Sequence, residues 1–301
     1  MSKVKIGKVG KQKLPVFAPF TLDFTFKKAF ANEQYKVLLL FLLNTILKEV
    51  LKAKIVDVTV IHTVQLAQTK KSRGAVFDLH CEDALGTRFI VEMQVEEQEH
   101  FIKRTFFYLC MAIANLAKKG KAKNKARKVP YDFNYPPAYT LSFLTYDLDF
   151  GKGCDEVIET LSVRNDRNLE VRYDIIRMVY VRLTRFNKTE EECITDLDRL
   201  LFSLKNADKL GEKPRSFGKG VWDLLYEVAR ISTFNKEEFM QYEREMMAFS
   251  DHAHALEFAD KKGFGKGVLA VAKSMLQDGL SLARIARITK LPKEQIIALS
   301  R

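Results

Sequence analysis

Two apolar segments joined by a turn sequence constrain the fold of this chain more than any other feature. Residues 75–81 (AVFDLHC) and 88–96 (RFIVEMQVE) are rich in β-branched and aromatic side chains, and EDALGT between them supplies the Asp and Gly of a hairpin turn. Acids interrupt both segments, Asp78 the first and Glu92 the second. Because alternate residues of a strand share a face, Glu92 and Gln94 are predicted to project together, with Asp78 close to Glu92 across the ladder.

The segments around this hairpin predict an α/β fold, with a mixed sheet flanked by helices. Apolar periodicities run in the order α-α-β-β-β-α-β, and such alternation packs helices against a sheet. The helices are predicted at 23–30, 33–52 and 98–119, and the strands at 55–62, 75–81, 88–96, 138–145 and 170–183.

The chain is predicted to have three regions. Residues 1–19 carry lysines, glycines and prolines without periodicity, which is typical of a flexible basic tail. A core follows at 20–185, and an α-helical C-terminal region at 186–301. Within this last region helices are predicted at 190–207, 218–232, 235–248 and 252–277, with GFGKG at 263–267 interrupting the fourth.

The acids of the hairpin allow two interpretations. Two carboxylates on apolar strands repel each other and are poorly solvated, and a divalent cation offsets both effects. Oxygen ligands with open water positions suit Mg²⁺, or Mn²⁺ as a second candidate, and the Met93 carbonyl could complete a set formed by Asp78 and Glu92. Alternatively, the hairpin presents a polar face to solvent, since an antiparallel edge shows the same alternation without any chemistry.

A surplus of positive charge favours a polyanionic partner. Fifty Lys and Arg residues against 38 Asp and Glu give a formal net charge of +12, and cations near phosphates displace condensed counterions. Nucleic acid is therefore expected ahead of a membrane surface, although a basic protein without such a partner has the same composition. The densest cationic segment is interpreted as a solvated loop that contacts the DNA backbone, through Lys118, Lys119, Lys121, Lys123, Lys125, Arg127 and Lys128.

Other features predict a cytoplasmic location. The four cysteines lie too far apart for a CxxC pair and suit reduced thiols in an intracellular protein. No apolar segment follows the basic N-terminus, so a signal peptide is not expected. The longest apolar run, 37–43, is too short to cross a bilayer.

Several motifs, taken in order, resemble one family. The opening DFTFKKAF, the strand aspartate in FDLHC, the E-x-Q pair in RFIVEMQ and an R-x-x-x-Y element in the next helix resemble the PD-(D/E)XK nuclease family transposases, also called recombination-promoting nucleases. The closing GKGVLAVAKSMLQDGLSLARIARITKLPKEQI is similar to the last helices of that family, whereas the likeness is weak between about 120 and 215. The resemblance implies a restriction-endonuclease-like fold and metal-dependent DNA cleavage linked to recombination or mobile elements.

The resemblance also implies roles for individual residues. Asp78 and Glu92 become metal ligands. Asp23 and Lys27 match the opening motif and could meet the metal or the phosphate. Arg104 and Tyr108 match the R-x-x-x-Y element, at i and i+4 on one helix face.

Gln94 stands where many members of the superfamily have lysine. Lysine can orient a water and neutralise phosphate charge, whereas glutamine can only form hydrogen bonds. The family that the chain resembles uses glutamine here, so we interpret the site as a variant in which Lys27 or Arg104 supplies the charge. The alternative is a catalytically inactive nuclease-fold module that binds DNA or another protein.

Two smaller features keep open interpretations. The segment SLARIARITKLPKEQI, with Ser281 and Pro292 at helix starts, predicts two short helices. They resemble a helix-turn-helix that reads DNA, or they form a small hairpin for packing or homodimerisation. His80 shares a strand face with Asp78, where it either touches the metal or a phosphate or is structural.

Overall fold

The computed structural model describes residues 15–51, 53–61, 79–151, 153–171 and 174–299. Its helices are α1 (Asp23–Phe30), α2 (Lys36–Ile46), α3 (Phe101–Ala126), α4 (Asp196–Asn206), α5 (Val221–Ala229), α6 (Lys236–Gln277), α7 (Leu282–Thr289) and α8 (Lys293–Ala298). Its strands are β1 (Val58–Val60), β2 (Leu79–Asp83), β3 (Arg88–Gln94), β4 (Ala138–Leu144), β5 (Ile158–Ser162) and β6 (Ile176–Arg182).

The six strands form one mixed sheet in the order β1-β2-β3-β4-β6-β5. The β3–β4 and β4–β6 pairs are parallel, and the other three pairs are antiparallel. Helices flank this sheet and an all-helical segment ends the chain, which confirms the predicted α/β class and is consistent with a restriction-endonuclease-like fold.

The predicted hairpin is formed by β2 and β3. Asp83 Oδ1 accepts hydrogen bonds from the backbone of Leu85 at 2.9 Å and of Thr87 at 2.8 Å. Gly86 has φ of +86°, a conformation that a residue without Cβ adopts at little cost. The turn sets the register, in which Leu79 pairs with Val91. Residues 75–78 of the predicted first strand lie outside the described residues.

Each face of the sheet carries its own apolar layer. One layer includes Val91, Phe143 and Val181 and packs against α1, α2, α4 and α5. The opposite layer includes Ile90 and Tyr180 and packs against α3. Burying one large apolar side chain contributes about 1.5–3 kcal/mol, so both layers hold the central strands firmly.

The contacts divide the described chain into two compact units, one up to Tyr242 and one from Glu243 onward. In the first, Leu200 of α4 and Trp222 of α5 belong to the same apolar cluster as the strands. The predicted boundary between residues 185 and 186 therefore lies inside this unit. In the second, Ala272 and two isoleucines of α7 and α8 form a small core.

The prediction of a flexible tail up to residue 19 was wrong for its last part, while residues 1–14 lie outside the described residues. Phe17 is fully buried and its ring lies 5.1 Å from that of Tyr226. The backbone of Ala18 donates to Ala229 at 2.8 Å, and that of Ile231 donates to Val16 at 3.0 Å. The apolar residues at the end of this basic segment therefore pack against α5, a contact that sequence periodicity does not reveal.

Three predictions for the helices and strands needed correction. Strand β5 was missed because this short edge strand has little apolar character. The glycines of GFGKG do not interrupt α6, since the flanking helix-forming residues offset about 1 kcal/mol per glycine. The basic segment is not a loop after the helix, because α3 continues to Ala126.

Among the described residues, no helix has both the length and the apolar character needed to span a bilayer.

Candidate functional site

Glu92 is a buried acid in the middle of the sheet. It lies on β3, between β2 and β4, and is 7% exposed. Its side chain alternates with those of the apolar Val91 and Met93 and therefore shares the α3 face of the sheet with Ile90. A carboxylate in such a position needs compensation for lost hydration.

A row of polar residues continues from Glu92 across the strands. The Cα of Glu92 pairs with that of Ser142 on β4, and Ser142 pairs with Tyr180 on β6. The hydroxyls of Tyr180 and Thr105 of α3 are hydrogen-bonded at 2.6 Å. Ser142 is 1% exposed, and its Oγ has no hydrogen-bond partner among the described residues. Such a row in an apolar layer is more typical of a site that binds polar groups than of packing alone.

Tyr146 brings a second such hydroxyl to this face. Its ring lies 6.4 Å from that of Phe101, and its buried Oη has no partner among the described residues. Burial raises the pKa of Tyr146 to about 12, with Arg104 opposing and the negative charge of Glu97 and Glu92 adding to the shift. The phenol therefore stays protonated at neutral pH and can donate a hydrogen bond beside the acid.

Arg104 holds the amide of Gln94. The guanidinium donates to Gln94 Oε1 at 3.1 Å and to Gln98 Oε1. Gln94 Nε2 donates to the backbone oxygen of Glu96 at 2.8 Å, so both ends of the amide are engaged. Arg104 also lies 6.0 Å from the ring centroid of Tyr108, which places the R-x-x-x-Y pair together on α3. A permanent positive charge is thus located beside Gln94.

Asp23 and Lys27 pair with each other. The Lys27 ammonium lies 2.7 Å from Asp23 Oδ1, and both side chains are more than one third exposed. They belong to α1, which packs on the sheet face opposite α3 through Phe26, 6.0 Å from the ring of Phe143.

His80 lies on β2, and its Cα pairs with that of Ile90. Burial lowers its pKa to about 4, and the positive charges of Arg88 and Lys119 act in the same direction. The imidazole is therefore neutral at pH 7.

The cationic segment forms the second half of α3 and its end. All seven of its Lys and Arg side chains are exposed. Leu116, in the same half of α3, belongs to the apolar cluster of Ile90, so this helix half packs on the sheet face that carries Glu92.

A metal site has only part of its predicted ligands among the described residues. Within the described ranges, no group of three or more His, Cys, Asp and Glu side chains could hold a metal ion. Asp78, the predicted second carboxylate, lies outside these ranges. The donors that are present, a buried carboxylate with buried hydroxyls around it, fit a hard divalent cation that keeps bound waters.

Sequence reasoning missed the residues that surround Glu92. Ser142, Tyr180 and Thr105 were assigned to strands or a helix without a role, and Tyr146 lies just after the predicted strand at 138–145. The signal was present in AYTLSFLT, where Thr140 and Ser142 alternate with apolar residues as the hairpin acids do. Their proximity to Glu92 depends on the order of the strands in the sheet, which the pattern within one strand does not specify.

Comparison with protein-family models gives a match over residues 20–259, to the family described as PD-(D/E)XK nuclease family transposase. The matched region contains α1, the hairpin and α3, whereas α7 and α8 lie beyond it. No curated protein and no solved structure matches the chain at a significant level.

Proposed function

Because the chain belongs to the PD-(D/E)XK nuclease family transposases, we propose that it is a Mg²⁺-dependent DNA endonuclease that hydrolyses phosphodiester bonds. The observation that carries this proposal is the buried Glu92 carboxylate, set in a polar row beside the Arg104–Gln94 pair. A cytoplasmic location and a role in recombination of mobile elements belong to the same proposal.

The proposed ligands of the cation are Asp78, Glu92 and the backbone carbonyl of Met93. Leu79 pairs with Val91, so one further residue along each strand would bring Asp78 opposite Glu92. When bound, Mg²⁺ or Mn²⁺ would lower the pKa of a coordinated water and offset charge on the scissile phosphate.

In this proposal Arg104 has the role of the lysine that many members of the superfamily have at the position of Gln94. Its guanidinium, 3.1 Å from Gln94 Oε1, keeps the amide in one orientation and supplies a positive charge for a phosphate oxygen. Arg104 suits this role better than Lys27, whose ammonium is paired with Asp23. Tyr108 supports the guanidinium from the next helical turn.

The buried hydroxyls hold water or phosphate oxygen on the same face. Ser142 lies opposite Glu92 in the sheet, and both its Oγ and the Oη of Tyr146 have capacity for hydrogen bonds that the described residues do not fill. These groups would orient ordered water beside the carboxylate.

The cationic half of α3 makes DNA the proposed substrate. Its exposed side chains, without an acid among them, suit contact with successive phosphates irrespective of base sequence. The seven residues are Lys118, Lys119, Lys121, Lys123, Lys125, Arg127 and Lys128.

One observation favours a second function. Gln94 has no charge and both ends of its amide are already hydrogen-bonded. A protein with this residue could bind DNA or a partner protein through a nuclease fold without cutting.

Plasmid cleavage separates the two functions. The parent should nick or linearise plasmid DNA with Mg²⁺ or Mn²⁺ but not with EDTA, and Glu92→Gln and Asp78→Asn should both abolish this activity. Glu99→Gln is the matched control, because the side chain of Glu99 is 88% exposed. Cleavage that persists in both carboxylate variants would refute the proposal that Asp78 and Glu92 form the active site. DNA binding without cleavage by the parent would support the inactive module.

The pair α7–α8 keeps its two predicted roles, DNA contact or homodimerisation. A chain that ends at residue 270 distinguishes them. Weaker DNA binding with an unchanged mass in solution supports DNA contact, and a change from dimer to monomer supports dimerisation.

A further inference from the structure

The segment after α3 folds back onto the helix that carries the cations. The backbone of Val129 donates to the backbone oxygen of Asn124 at 3.1 Å, and Asn124 Nδ2 donates to the backbone oxygen of Pro130 at 2.9 Å. These bonds hold the segment beside α3 instead of letting it extend into solvent.

Gly120 makes room for an aromatic ring on this helix. A Cβ at Gly120 would lie 3.1 Å from Cε2 of Tyr131, closer than nearly all such contacts. Gly120 stands between Lys119 and Lys121, so the ring of Tyr131 lies against α3 near the start of the cationic segment at 118–128.

Tyr131 in turn supports Phe133. The two ring centroids are 4.6 Å apart, and Phe133 is 71% exposed. Phe133 also has φ of +59°, which costs a bulky residue about 1–2 kcal/mol. A phenylalanine that is both exposed and conformationally costly is not explained by core packing.

The part of the chain that contains Gly120, residues 118–128, carries only positively charged side chains among its ionisable groups. The Lys and Arg side chains at 118–128 are exposed, and no acid lies among them. The nearest acid in sequence, Asp132, accepts a hydrogen bond from the backbone of Asn134 at 3.1 Å and so shapes the turn at Phe133.

We propose that Phe133, supported by Tyr131, stacks on unpaired bases of DNA whose backbone lies along the cations of α3. An unpaired base offers a free aromatic face, whereas the bases of a duplex are stacked on each other. Proteins that bind single strands combine cations for the backbone with exposed rings for the bases, which is the combination on this surface. The inference rests on the proposed function for DNA as the partner, and it does not require cleavage.

Binding of the full chain to labelled oligonucleotides in EDTA tests the proposal, because no cleavage occurs there. Fluorescence anisotropy would compare single-stranded oligodeoxythymidine with a duplex of equal length. Phe133→Ala should weaken single-strand binding by roughly 5- to 100-fold and leave duplex binding unchanged. Phe133→Trp should retain the affinity, and Phe264→Ala, which removes a ring 77% exposed on α6, is the matched control.

Salt dependence separates stacking from charge. In Phe133→Ala the slope of log affinity against log salt should equal that of the parent, whereas Lys121→Gln should reduce the single-strand slope by about 0.7. Single-strand affinity unchanged in Phe133→Ala, or an equal loss on single strand and duplex, would overturn the proposal. A loss of affinity in Phe133→Ala that appears with oligouridine but not with oligodeoxythymidine would also overturn the proposal. If the parent binds single strands through Phe133 but never cuts, the inference stands and the nuclease proposal fails.

Discussion

Replacing Arg182 with methionine should destabilise the first unit more than a substitution of any surface arginine. Arg182 is 1% exposed at the end of β6, in the parallel half of the sheet. Its guanidinium donates to Cys154 O at 2.8 Å, to Glu156 O and to Glu159 Oε1 at 2.9 Å. One side chain thus holds the segment that leads into β5, together with β5 itself.

The magnitude follows from what the substitution leaves behind. Methionine fills the aliphatic volume but donates no hydrogen bond, so the carbonyls lose a donor and Glu159, whose side chain is 16% exposed, loses its counter-charge. Breaking a buried ion pair by removing one partner costs about 3–5 kcal/mol. We therefore expect the free energy of unfolding to fall by about that amount, and Arg182→Lys, which keeps the charge without the planar fork, to lie between this variant and the parent.

Fluorescence of Trp222 provides the assay. It is the single tryptophan of the chain, is 4% exposed and belongs to the apolar cluster of the first unit. Urea titration should show a lower midpoint for Arg182→Met with an unchanged slope. The control is Arg215→Met, because the side chain of Arg215 is 89% exposed and its pair with Glu212 spans 3.7 Å; such pairs contribute about 0–1 kcal/mol.

A loss below about 1 kcal/mol for Arg182→Met, or one equal to that of Arg215→Met, would refute the reasoning, since the buried guanidinium would then contribute no more than a surface pair.

Three further predictions follow from single contacts. The hydrogen bond from Arg185 lowers the pKa of Asp147 below 3.8. The stabilisation that this ion pair gives the folded state is therefore full above pH 3.8 and is lost as the pH falls through the lowered pKa. The urea midpoints of the parent and of Asp147→Asn should accordingly converge in acid. Arg104→Lys should reduce plasmid cleavage by roughly 10- to 100-fold, the effect of disturbing groups that orient a metal site; full activity would remove Arg104 from the site. Gly86→Ala should lower the free energy of unfolding by about 1–2 kcal/mol, measured by thermal unfolding. An unchanged midpoint temperature would contradict the inference that this position requires a positive φ.

Patterns within one element were sufficient for much of the fold. The bounds predicted for α1 agree with the structure, because its apolar spacing and first-turn acid act within eight residues. The turn of the hairpin was found for the same reason, since Asp83 and Gly86 satisfy the backbone locally. Local signals also explain the failures, as at β5, where five residues gain strand structure only by pairing with β6.

The features of the candidate site likewise differ in whether local sequence patterns or tertiary contacts specify them. Glu92 and Gln94 could be proposed as neighbours on one face because alternation along a strand is a property of the sequence. The orientation of Gln94 depends on Arg104, which is ten residues away and on a helix. Asp23 and Lys27, in contrast, were predicted as supporting residues from a motif, and the structure pairs them with each other, which leaves their part in any chemistry a prediction.

The sequence by itself determined most of the elements, the turn of the hairpin, the acid on β3 and the positive charge at 118–128, because periodicity, turn chemistry and charge are properties of neighbouring residues. Tertiary structure alone decided that β4 and β6 lie side by side, so that Ser142 and Tyr180 line up with Glu92, and that Tyr131 lies on Gly120. The physical reason is that strand order and helix docking minimise exposed apolar area over the whole chain. That total area depends on contacts between distant segments, so it cannot be inferred from any short stretch of residues.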